Sequence, residues 1–134
     1  MKTKLIISML TAILITIVAK SQITLGKSYY QLKVLYPTIT PNEYYENSTS
    51  PIGATCEMKM GIATYYFNKQ DEISPLATLM VWNSDYAIEL IKFYNSIYTK
   101  CGDVCWQGKM NGAYVKIELK HQRGQDVFFF TINK

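Results

Sequence analysis

The chain is poor in the residues on which most catalytic and metal chemistry depends. It carries one histidine, His121, and three cysteines, Cys56, Cys101 and Cys105. Three thiols and one distant imidazole lack the ligand spacing of a zinc site, and no cofactor motif is present. There is no cluster of Lys or Arg, whereas a nucleic-acid binder needs a basic face. No uninterrupted apolar run reaches the roughly 20 residues of a membrane-spanning helix. The seven glycines do not assemble a phosphate loop either. Gly26-Lys27-Ser28 looks like the tail of one, but Ser21 stands where the first glycine of Gly-x4-Gly-Lys-Ser should be.

What is present at the start is an address. Lys2 and Lys4 precede an uncharged apolar stretch from Leu5 to Val18, and Ala19-Lys20-Ser21 offers small residues to a signal peptidase. This is the pattern of a secretory leader over residues 1–21, and an uncleaved anchor is the weaker reading. With no cysteine near the cut, a lipid-modified N-terminus is not expected. Lys2, Lys4 and Lys20 leave with the leader, so 14 basic residues become 11 against 10 acidic ones, a net of +1. The mature chain, residues 22–134, has the length of one domain with one core, periplasmic or secreted.

Ser28 followed three residues later by Gln31 forms a capping box. Tyr29, Leu32, Leu35 and Tyr36 then recur at helical spacing until Pro37. Residues 37–53 hold three of the four prolines among Asn, Ser and Thr, and read as a loop. Beyond it the period changes to two. Cys56, Met58 and Met60 alternate with polar residues, Ile62–Asn68 is rich in aromatics, and Leu76–Trp82 is apolar on both faces. Asn83, Ser84 and Asp85 offer caps for a helix with the face Ala87, Leu90, Ile91, Tyr94, Ile97 and Tyr98, ended by Cys101-Gly102-Asp103. Val104–Met110, the hairpin signal Asn111-Gly112, an alternating strand through His121, a turn at Arg123–Asp126 and Val127–Ile132 complete the chain.

The expected fold class is therefore α+β: an antiparallel sheet of about six strands with two helices packed on one face, in the order α-βββ-α-βββ. That layout, with Gly26-Lys27-Ser28 before a short helix leading into a strand meander, resembles the secreted beta-lactamase-inhibitor-protein-like families and the small outer-membrane assembly lipoproteins. The resemblance covers most of the mature chain as architecture only. The lipoprotein branch implies an N-terminal cysteine, which is missing here. A shared fold does not carry a shared function.

Three cysteines in an exported chain can close one bridge. Cys101 with Cys105 as a structural clip is favoured, and a bridge from Cys56 to either of them is the alternative, although Cys56 sits on the apolar side of its strand. Cys-Gly-Asp-Val-Cys is one residue longer than the redox-active C-x-x-C. His121 falls at a strand end, where a hydrogen-bonded rim residue is the plainer reading than a general base. The carboxylate pairs Glu43/Glu46, Asp71/Glu72 and Asp85/Glu89 fall in a loop, a turn and a helix start, where solvation or capping explains them. Asn47-Ser48-Thr49 matches a glycosylation pattern, relevant only in a glycosylating host.

The one compositional excess is tyrosine, with 11 copies. Packing accounts for Tyr65, Tyr94 and Tyr98. Tyr29, Tyr30, Tyr44, Tyr45 and Tyr114 cannot all face one core and are candidates for a recognition surface, since tyrosine gives large contact area at low entropic cost. Ordinary packing and solubility stand against that reading. The sequence points to a small exported, non-catalytic domain, of inhibitor or immunity type, whose partner is a protein or an envelope component. An envelope assembly accessory pairing through a sheet edge and a minor enzyme using His121 or a cysteine are the alternatives.

Overall fold

The structure, a computed structural model, describes residues 23–133; the expected leader lies outside the described residues. Among those described, no helix is long and apolar enough to cross a membrane. The elements are α1 (Tyr29–Leu35), β1 (Thr40–Pro41), β2 (Gly53–Glu57), β3 (Gly61–Tyr66), β4 (Leu76–Val81), α2 (Ser84–Ile97), β5 (Thr99–Gly102), β6 (Cys105–Met110), β7 (Ala113–Gln122) and β8 (Gln125–Ile132). All eight strands belong to one antiparallel sheet ordered β1-β2-β3-β4-β8-β7-β6-β5. Two four-stranded meanders thus meet at β4 and β8, where Leu76 to Met80 pair with Thr131 to Val127.

This corrects the expected layout of six strands with two helices packed on one face. Two strands were hidden. Thr40–Pro41, inside the segment read as a loop, pairs with Thr55 and Ala54, and Thr99–Gly102, read as a helix end, turns back on β6. The helices are also too small to form a layer. Fourteen and seven residues extend only about 21 and 10 Å, whereas eight strands spaced about 4.8 Å apart span roughly 34 Å. The architecture is accordingly dominated by the sheet.

Local chemistry explains the boundaries. Ser28 Oγ accepts from the Gln31 N–H at 3.2 Å, and Gln31 Oε1 accepts from the Ser28 N–H at 2.9 Å, so the capping box forms as read. Asn83 caps α2 by accepting from the Tyr86 N–H at 3.0 Å. The tight β6–β7 and β7–β8 turns place Asn111-Gly112 and Arg123-Gly124 in the left-handed region, which glycine occupies without penalty.

One row across the sheet carries the core: Ala54, Tyr65, Ala77, Phe130, Ile117 and Trp106 stand opposite one another on successive strands, and all are buried. Tyr94 of α2 seats its ring 5.6 Å from both Trp106 and Phe128. The other end of the row is closed by the N-terminal segment: the Thr24 N–H donates to Tyr65 Oη at 3.2 Å, and Ile23 and Leu25 are buried beside it.

Candidate functional site

The five candidate tyrosines do not converge on one patch. Tyr29 is buried, its ring edge-on to Phe67 at 6.4 Å. Tyr45 is half-buried and donates to the Phe67 carbonyl at 2.6 Å; it is an anchor. Tyr114 is exposed, but it projects from β7 opposite Lys109, in the other half of the sheet. Tyr30 and Tyr44 remain. Residues 43–52 fold back on themselves, with Ile52 N–H on the Glu43 carbonyl and a bridge between Tyr44 and Pro51. Tyr30 Oη donates to the Thr49 carbonyl at 3.1 Å, which docks this hairpin to α1.

Both the hairpin and α1 carry exposed apolar side chains at the corner where the Tyr30–Thr49 hydrogen bond joins them. Val34 is 81% exposed, Tyr30 54%, Leu35 53%, Tyr44 47% and Ile52 37%. A seven-residue helix has room for one inward turn, which Tyr29 and Leu32 fill, so Leu35 points outward despite its helical spacing. Val34, Leu35 and Ile52 were missed in the sequence. The signal was there: Tyr30 and Val34, four apart, form a second apolar stripe on the opposite side of the same short helix.

Cys101 and Cys105 form a disulfide, with Cα atoms 5.0 Å apart. It ties edge strand β5 to β6 where their register shifts between Lys100 and Gly102. Cys56 is free and buried. Burial pushes its thiol up from the ordinary range, and the charge of Glu57 adds to this, against a lowering contact from Thr38.

His121 sits at the end of β7, largely exposed, with Nδ1 3.1 Å from Asp126 Oδ1. The pair opens onto a depression of about 470 Å³ also lined by Trp82, Asn83, Ser84 and Gln125. It lies where β4 leaves the sheet for α2 and the β7–β8 hairpin begins. His121 is thus oriented by a carboxylate, the second half of a nucleophile–base–acid chain. No hydrogen bond joins Ser84 to it among the described residues, and none of the cysteines lines the depression.

The sheet's second face is a further surface that the sequence reading did not single out. Thr40, Thr55, Thr64, Thr78 and Phe129 stand opposite one another on β1, β2, β3, β4 and β8. Lys120 Nζ lies 4.9 Å over the Phe129 ring on this side, and Lys116 pairs with Glu118 at 3.6 Å. Alternation on β3, β4 and β8 (Thr64/Tyr66, Thr78/Met80, Phe129/Thr131) was its signal, obscured because these strands are apolar on both faces.

Compared with family models, with curated proteins and with solved structures, the chain matches none.

Proposed function

We propose that the chain is a small exported domain that binds another protein without catalysis, as an inhibitor or immunity-type factor would, through the corner built by α1 and the 43–52 hairpin. The observation that carries this reading is the exposure of Tyr30, Val34 and Leu35 on α1 and of Tyr44 and Ile52 on the hairpin that Tyr30 joins to it; exposed apolar patches on soluble domains mark interaction sites. Export is supported by the leader pattern over residues 1–21 and by the Cys101–Cys105 disulfide, which suits an oxidising compartment. The partner lies at the corner rather than along a strand edge. β1 is two residues long and ends in Pro41, while β5 is short, carries Lys100 and is clipped by the disulfide, and these are devices that blunt edge pairing.

The test is cross-linked capture in the exporting host, comparing the wild type with a Val34→Asp/Tyr44→Ala variant and a Lys92→Ala control on α2. A partner recovered by wild type and control but lost by the corner variant supports the reading. Equal recovery by all three sinks it.

The depression at His121 favours a second reading, a hydrolase in which Ser84 is activated by His121 and Asp126. A fluorophosphonate probe separates the two. The binding-domain reading expects no labelling, whereas stoichiometric labelling of Ser84 that disappears in His121→Ala would establish the enzyme.

A further inference from the structure

The second face of the sheet is apolar at its centre, with Glu57 of β2 on one side and Lys120 and the Lys116–Glu118 pair of β7 on the other. Along one row, Glu57, Ile62, Met80, Val127 and Lys120 stand directly opposite one another on β2, β3, β4, β8 and β7. Val127 is only 8% exposed, yet it stands apart from the core cluster. Ile62 and Met80 are half-buried and outside that cluster too, while Glu57 and Lys120 at the ends are exposed.

We infer that this face packs against the same face of a second copy of the chain, about a two-fold axis running along β4 between the two sheets. Rotation about that axis lays β2 of one copy over β7 of the other and β3 over β8. Glu57 then meets Lys120 of the second copy, Ile62 meets Val127, and Met80 meets its own equivalent. A charge pair therefore closes each side of an apolar strip, twice per dimer. In the neighbouring rows Phe129 faces Thr64, Tyr66 faces Thr131, and Thr78 and Leu76 lie on the axis, while Glu118 and Lys116, paired with each other, face Thr55 and Gly53. An isologous contact must be self-complementary in this way.

The geometry tolerates the usual twist. Packed sheets cross at about 30°, which displaces a residue two strands from the axis by about 5 Å, within the reach of Lys and Glu side chains. The whole face, roughly 34 Å by 17 Å from strand spacing and rise, lies below the standard interface of about 800 Å² per partner. The dimer leaves the α1 corner free, so it neither requires nor excludes the partner proposed above.

Sedimentation equilibrium of the protein expressed from its full sequence, at about 0.15 M salt and up to roughly 0.5 mM, tests this inference. The wild type is expected to reach twice the monomer mass. Glu57→Lys and Lys120→Glu should each raise the dissociation constant at least about tenfold, because each places like charges together at both symmetric sites. The Glu57→Lys/Lys120→Glu double reversal should restore it. Circular dichroism identical to wild type is required of each variant, and Met80→Lys provides an independent disruption at the axis. A wild type that stays monomeric, a Glu57→Lys variant that dimerises as well as wild type, or a natively folded double reversal that remains monomeric would each overturn the inference.

Discussion

Replacing Tyr94 with alanine tests how much of the fold depends on seating α2 over the sheet. Tyr94 is 3% exposed, and its ring lies 5.6 Å from Trp106 and Phe128, 5.8 Å from Tyr98 and 6.3 Å from Phe130. Truncating a buried aromatic costs about 3–5 kcal/mol through lost burial and the cavity left behind, and aromatic pairs contribute about 0.5–1.5 kcal/mol each beyond area. Trp106, Phe128 and Phe130 belong to the sheet and cannot collapse into the space, so the upper half of that range is expected. A domain of this length holds roughly 6–15 kcal/mol in total. With a urea slope near 2 kcal/mol per molar, the unfolding midpoint should fall by about 2 M. Equilibrium urea unfolding followed by circular dichroism measures it. A loss under about 1 kcal/mol at unchanged slope would mean that α2 does not cover Trp106 and Phe128, and the packing argument would fail.

Stability should fall in alkali. Burial holds the Tyr94 and Tyr65 hydroxyls above their ordinary range, aided by Tyr98 and Tyr36 respectively, and burial raises Cys56 as well. The unfolded chain therefore ionises first, and the contribution, complete below about pH 8, is lost as pH rises past the unfolded values of about 8.5 for Cys and 10 for Tyr. Urea midpoints from pH 6 to 11 should show this, and a rise above pH 9 would contradict it. Cys56 should resist a thiol reagent until the chain unfolds; reaction at the rate of a free peptide thiol would place it at the surface. Serine at Cys101 and Cys105 should cost about 2 kcal/mol at most, since the closed loop is so short, and a larger loss would give the clip a role beyond entropy. At Gly61 an alanine methyl would collide with the Met80 carbonyl on the next strand, so Gly61→Ala should not accumulate as soluble folded protein. Full recovery would place β3 and β4 further apart.

The two capped helix starts and the Asn111-Gly112 turn were legible because their signals are local: one side chain, one backbone group, three residues apart. Of the six longer strands, β2 and β7 were legible from alternation, and the others from apolar or aromatic runs bounded by turn residues. The edge strands were not, because two or four residues carry no period, and Pro41 and Gly102 read as breaks when only the far side of each strand lacks a partner. Tyr29 and Leu35 exchanged roles for a similar reason. Helical spacing places both on one face, but a helix of seven residues buries a single turn, and the exposure of its last residues is settled by the hairpin that docks on Tyr30. The depression that His121 shares with Ser84, and with none of the cysteines, depends on where β4 and β8 part, a long-range pairing that no local pattern encodes.

The pairing of β4 with β8 makes two meanders into one sheet with a covered face and an open one. Backbone nuclear Overhauser effects between residues 76–80 and 127–131 measure it directly. Antiparallel cross-strand contacts in the order that sets Thr78 opposite Phe129 are the predicted result; their absence, or a register shifted by one residue, would contradict the single sheet and the assignment of its two faces.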